Sequence, residues 1–268
     1  MNGVSMQPGI MRGDILYYSH NEEVNSNSVV VVSNPLRVKN KDINKYLTVK
    51  RCVAMPGDTF QISYKLLYIN GKEVKSDKLV FNRRVMLFTE EEFQAAVNYG
   101  LIHDSADHDT YLIPVSESLN KKISREGKIR NINNDILSPE LSDKFIFPYS
   151  ESKKWNRDHF GPLVVPKCGM KIRITYSNVA IYRFILNNFE HARIEQKNGI
   201  LTVNGKNEPY MFKNDYYFVL NDYRDDTSDS RTFGFVPAHH IAGVVKYIIA
   251  GRNENGNFDL KKIFTHVD

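Results

Sequence analysis

Two residues of this chain have the chemistry to make and break an acyl bond. One is Ser5, in Gly3-Val4-Ser5-Met6-Gln7-Pro8; the other is Lys50, in Lys50-Arg51 followed by Pro56-Gly57-Asp58. A serine hydroxyl is a poor nucleophile at neutral pH and needs a base to take its proton. A lysine can be that base where burial removes its charge, because desolvation lowers a lysine pKa. None of the eight histidines falls in a competing Ser-His-Asp frame. A third block of fixed spacing follows: Asn221-Asp222-Tyr223-Arg224-Asp225-Asp226-Thr227-Ser228-Asp229-Ser230-Arg231, then Gly234, Val236 and Pro237.

Elements must bring these blocks together. Residues 14–18, 29–33, 46–55 and 59–63 read as strands, and Asn70-Gly71 marks a hairpin turn within 66–74. Along 46–55, alternation puts Leu47, Val49, Arg51, Val53 and Met55 on one face. Thr48, Lys50, Cys52 and Ala54 take the other, so Lys50 stands among small neighbours that leave room for a substrate chain. Thr89 followed by Glu90-Glu91-Glu92 is a capping box that predicts a helix over 90–99, stopped by Gly100. Ser177 predicts the cap of a second helix reaching Phe189, with Ile181, Phe184 and Ile185 on one face. Asn204-Gly205-Lys206 repeats the turn type of Asn70-Gly71 and predicts a second hairpin. Residues 215–220, 233–236 and 240–250 return to a β pattern. Strand-rich ends therefore bracket a mixed middle: a β-rich domain over 1–74 and 211–268, and an inserted α+β lobe over 75–210.

Composition narrows the class. The chain has 268 residues and 41% hydrophobic residues, enough to bury a sizeable core. Its 36 basic and 31 acidic residues leave +5, spread along the chain; that suits an anionic membrane surface. No basic run interleaves with stacking aromatics, so nucleic-acid binding is not indicated. Cys52 and Cys168 have neither CxxC nor metal spacing and read as unpaired. His103, Asp104 and His108 lie close in sequence but read as a solvated loop rather than a metal site. His239-His240 reads as a solvent-facing or capping pair, and Trp155 as an anchor of the lobe. No stretch reaches the ~18 apolar residues that span a bilayer, and no signal peptide opens the chain.

Taken in order, the three blocks resemble bacterial type I signal peptidase, the Ser-Lys protease that removes signal peptides from exported proteins, in its larger-insert form. Gly13-Asp14 completes the serine box. The third block follows the family's Gly-Asp-Asn-Arg, two residues, Ser, one residue, Asp-Ser-Arg, then Gly-x-Val-Pro. Arg224, Asp229, Ser230, Arg231, Gly234, Val236 and Pro237 match. Asn221 stands for a glycine, Tyr223 for an asparagine, Thr227 for a serine, and Ala54 for a common glycine. Asn221 is acceptable where glycine takes a left-handed backbone; Tyr223 has no evident rationale.

The resemblance implies a mainly β fold, a partly open barrel-like catalytic core with an inserted α+β lobe. It implies Ser5 as nucleophile, Lys50 as base, and Gly3 beside the oxyanion hole. Thr227 would orient Lys50, with Asp229 and Arg231 as the supporting ion pair. Met6, Pro8, Cys52 and Ala54 are candidates for the substrate cleft. No metal or cofactor is implied. The implied substrates are signal peptides of exported preproteins, cut after small residues, beside the Sec translocon at the inner membrane, with the catalytic domain on the extracytoplasmic, periplasmic side. The family's membrane anchor is expected before the serine box and is missing from this chain. Two other classes stay open: a non-catalytic paralogue that binds export clients, and a self-cleaving Ser-Lys regulator of the repressor type. The second needs a DNA-binding segment and a cleavage site upstream, and four residues precede Ser5.

Overall fold

The valine run Val29–Ser33 forms the middle of the protein because β-branched residues fit a pleated strand covered on both faces. In the computed structural model, residues 5–36, 47–102, 110–150, 152–253 and 256–267 are described. Val29 and Val31 pack with Met6, Ile10, Val49, Val245 and Ile248 on one side. Val30 and Val32 pack with Cys52, Val219, Phe233, Val236 and Val244 on the other.

Among the described residues this strand lies in an eight-stranded sheet. Its order runs Ile15–Ser19, Ile241–Arg252, Val29–Ser33, Leu47–Ala54, Tyr216–Leu220, Val236–Pro237, with Phe258–Asp259 and Thr265–His266 added along Ile241–Arg252. All its pairings are antiparallel. The two ends of this order do not meet, so the sheet is open and does not close into a barrel. The fold is mainly β.

Pro56-Gly57-Asp58 turns the lysine strand into a second, four-stranded sheet of Phe160–Val164, Thr59–Ser63, Leu66–Ile69 and Lys72–Val74. Gly57 takes φ +97°, and the Asp58 carboxylate accepts from Met55 N at 2.8 Å and Asn70 Nδ2 at 2.7 Å. Asn70 and Gly71 both have positive φ, as the predicted hairpin requires. The largest apolar cluster lies between this sheet and the main one. Phe60, Phe160 and Phe218 meet there with ring centroids 4.3–5.8 Å apart. Helix Val179–Asn188 adds Ile181, Tyr182, Ile185 and Leu186, and Trp155 lies tilted against Phe160 with ring centroids 4.6 Å apart. Residues 146–203 thus share a core with residues 53–67 and 212–235.

A smaller unit has its own apolar cluster. Strands Val80–Met86, Thr110–Ser116 and Asn131–Asn134 carry helices Glu90–Asn98 and Glu117–Glu126 around Val85, Ala96, Val115 and Ile123. Thr89 Oγ1 caps the first helix at Glu92 N, and Gly100 follows at φ +69°.

Four expectations change. The helix Glu117–Glu126 was not predicted, although Ser116 caps it and Gly127 ends it at φ +66°; only Ile123 of it is buried, too few to show a periodicity. Asn178, not Ser177, stands at the N-cap of the helix over 179–188; its Oδ1 accepts from Thr175 N instead of capping. The hairpin of Ile194–Lys197 and Ile200–Val203 turns at Asn198-Gly199, while Asn204-Gly205 closes a single bridge, Val203 to Lys206. Of the strand predicted over 233–236, Phe233 ends a helical turn, Ser230–Phe233, capped by Asp229, and the strand is Val236–Pro237.

Candidate active site

Ser5 is held by the segment that follows it. Met6 is fully buried in the valine cluster, and Ile10 N donates to Met6 O, closing a turn. Asp14 ends the segment: its carboxylate accepts from Met11 N and from Arg252 N, both at 2.8 Å, and so fastens the turn to the main sheet. Gly13 has φ +91°, and a Cβ there would come within 2.8 Å of Arg252 Cδ. Tyr223 N donates to Ser5 O at 3.0 Å, which attaches the serine segment to the third block.

Lys50 sits on Leu47–Ala54 opposite Val30. It is 3% exposed. Burial pushes its pKa below the ordinary lysine value; Asp229 and then Asp226 pull it up, and Arg231 adds to the lowering. Among the described residues no carboxylate forms a direct ion pair with it. A cleft of about 590 Å³ brings Ser5 and Lys50 together, with Val31, Val49, Asp226 and Ser228 among its walls.

Buried charge pairs fasten the third block beneath this cleft. Arg51 makes a two-pronged pair with Asp222, Nε to Oδ1 at 2.7 Å and Nη2 to Oδ2 at 2.8 Å. Arg231 and Asp229 form a second such pair at 3.0 and 2.7 Å, with both side chains essentially unexposed. Arg231 also donates to the carbonyls of Arg224 and Asp226, and Asp229 accepts from Asn221 N at 3.0 Å. Paired, hydrogen-bonded charges of this kind hold geometry even where their net stabilisation is small.

The remaining predicted residues divide. Gly3 lies outside the described residues, as do His103, Asp104 and His108. Ser228 lines the cleft, whereas Thr227 is not among its walls; the Thr227 carbonyl accepts from Asp229 N and from Thr232 Oγ1. Met6, Cys52 and Ala54 are fully buried in the core rather than in the cleft. Pro8 lines a separate cleft with Val29, Asp222 and His266. Both cysteines are free thiols, Cys52 buried and pushed up to about 12 by its burial. His240 is not in solvent: it is 4% exposed and bonded to Ser33 Oγ at 3.0 Å.

The structure explains two departures in the third block. Asn221 does not have a positive φ. It serves as a donor, Nδ2 to Asp226 O at 2.8 Å and to Ser228 Oγ at 3.3 Å, which tightens the loop from within. Tyr223 reaches across to the smaller unit: its hydroxyl donates to Asn82 Oδ1 at 2.7 Å, and its backbone forms a parallel bridge with Val80. Sequence reasoning also missed a buried ion network beside the loop. Asp225 is held by Lys65 at 2.8 Å and Arg157 at 3.1 Å, and its second oxygen accepts from Asn82 N. The signal was Lys65, a lysine beside the apolar run Leu66-Leu67, but its partners lie far away in sequence.

The family model of signal peptidase, peptidase S26, matches residues 1–117 and 169–250, so all three blocks fall inside it. The chain belongs to the signal peptidase family. Residues 118–168, which supply Arg157 and Trp155, fall outside the match. A signal peptidase I of Bacillus amyloliquefaciens is 29% identical over 107 residues, 40% of this chain and 54% of that protein. The chain thus spans about half the length of that relative. A crystal structure of a signal peptidase I from Enterococcus faecalis aligns over 83% of this chain and 97% of its own, at 16% identity and a TM-score of 0.30. The family is membrane-associated. Among the described residues no helix is long and apolar enough to cross a membrane.

Proposed function

We propose that this chain is a serine endopeptidase that cuts signal peptides from translocated preproteins. The observation that carries the reading is the shared cleft: a serine hydroxyl and a lysine depressed by burial line one cavity. Neutral Lys50 takes the Ser5 proton as Ser5 Oγ attacks the peptide carbonyl. The oxyanion rests on backbone N–H donors, that of Ser5 among them. Protonated Lys50 then gives its proton to the leaving amine, and neutral again it activates the water that hydrolyses the ester. Asp229 and Arg231 hold the loop beneath Lys50, and a hydroxyl of that loop orients the lysine, that of Thr227 by the family's pattern or that of Ser228 by its place on the cleft wall. Small residues before the cut suit a cleft whose walls include the packed side chains of Val31 and Val49. The site works on the extracytoplasmic side of the membrane, where preproteins emerge.

The test is cleavage of a preprotein with small residues at the first and third positions before the cut, in detergent or lipid. Ser5→Ala and Lys50→Met each abolish turnover while circular dichroism stays unchanged, and the double variant loses little more than either single one. Turnover near the wild-type rate in either folded single variant would assign the chemistry elsewhere.

A further inference from the structure

A second cleft, of about 420 Å³, follows the first along one strand ladder. Val31 pairs with Val49 between strands Val29–Ser33 and Leu47–Ala54, and these two residues wall the Ser5–Lys50 cleft. Val29 pairs with Arg51 two residues further along, and these two wall the second cleft. Residues two apart on a strand point to the same face, about 7 Å from one another. The two clefts therefore open in succession on one face of the main sheet. One apolar cluster underlies both: Val31 and Val49 belong to the first cleft, Ile10, Val29 and Ile248 to the second.

The serine segment runs from one cleft to the other. Ser5 lines the first, Pro8, Gly9 and Ile10 line the second, and Met6 is fully buried in the shared cluster. Ser118 of the smaller unit and Thr265 of the last strand add further walls to the second cleft. Its charged groups are already answered within the protein. Arg51 and Asp222 hold each other, and Asp77 pairs with Lys121. What the cleft offers a ligand is its apolar floor.

A peptide that lays its carbonyl at Ser5 has to continue past it. In the proposed reading the residues before the cut lie in the first cleft. An extended chain advances about 3.3–3.6 Å per residue. A step of about 7 Å thus carries the chain onto the second floor within two residues. We propose that the second cleft holds the segment just after the cut, the first residues of the released protein, with an apolar side chain of the second such residue on the floor of Ile10, Val29 and Ile248. This inference rests on the proposed cleavage at Ser5; the depth of the cleft is what makes it a site rather than an exit.

Substrates identical before the cut, and ending either one residue or several residues after it, are compared by kcat/KM. Extension should raise kcat/KM roughly tenfold, more with leucine than with alanine at the second residue, as burial of an apolar side chain requires. Thr265→Trp and Ser118→Trp, which fill the cleft from two different elements, should each remove most of that gain. No gain on extension, or a full gain in both folded variants, would overturn the site. Absence of cleavage on every substrate would instead sink the proteolysis itself. Should neither variant fold, a benzoylphenylalanine photoprobe at the second residue after the cut, bound to Ser5→Ala protein, decides without turnover. Cross-links to residues 8–10 or 265–267 are expected, and cross-links confined to residues 47–50 refute the proposal.

Discussion

Replacing Asp229 by Asn separates two roles of one carboxylate. Asp229 accepts four hydrogen bonds, from Arg231 Nε, Nη2 and N and from Asn221 N. Its side chain and that of Arg231 are almost wholly unexposed. Asn keeps the shape but removes the charge, so Arg231 is left buried and uncompensated. Removing one partner of such a pair costs about 3–5 kcal/mol. For a chain of this size that lowers the unfolding midpoint by roughly 6–20 °C. The second role is electrostatic. Burial is the main cause of the low pKa of Lys50, and Asp229 is the largest influence raising it. Without that carboxylate the Lys50 pKa falls further, so neutral lysine persists to lower pH. Asp229→Asn should therefore lose stability while the acid limb of its pH–rate profile moves to lower pH. Calorimetry and kcat/KM against pH, measured below the new midpoint, read both. A midpoint loss under about 2 °C, or an acid limb that moves to higher pH, would show that Asp229 neither balances Arg231 nor acts on Lys50.

Thr227→Val should lose most cleavage and Thr227→Ser keep it, with Ser228→Ala near wild type; the opposite order in kcat would give the orienting hydroxyl to Ser228, the one on the cleft wall. Tyr223→Phe removes the bond to Asn82 and should cost about 1 kcal/mol, a midpoint drop of about 2–4 °C, that is not additive with Asn82→Ala; full additivity would deny the link. Burial first, and His239 second, depress His240 from 6.5 to about 4. The unfolded chain binds that proton first, so stability falls as pH drops from about 6.5 to about 4, by roughly 3 kcal/mol at most. His240→Gln should flatten that part of a pH–denaturation series, and an unchanged slope would refute the assignment.

Local signals carried much of this fold. The valine run, the Asn70-Gly71 turn and the Thr89 capping box each contain their own cause within a few residues, and each forms where expected. Alternation along 47–54 placed Lys50 with Cys52 and Ala54, but it did not show that both faces of the strand are covered. In a sheet covered on both sides a small residue fills the core as readily as it borders a cleft, so Cys52 and Ala54 are buried. The candidate site was legible where chemistry is concentrated at fixed spacing, as in the three blocks. It was not legible where a residue answers a distant partner. The role of Tyr223 follows from Asn82, and the Arg157–Asp225 contact joins segments about 70 residues apart, one of them outside the family match.

The order of strands in the main sheet has a consequence for biosynthesis. Ile15 pairs with Ala250, and Asp14 fastens the serine segment to Arg252 N. The strand after the nucleophile thus pairs with one made more than 220 residues later. Pairings this distant in sequence form slowly, and chains on the ribosome complete them last. The Ser5 segment therefore lacks its full seat in the sheet until residues 241–252 emerge, and a nascent chain cannot cut its neighbours before that strand is made.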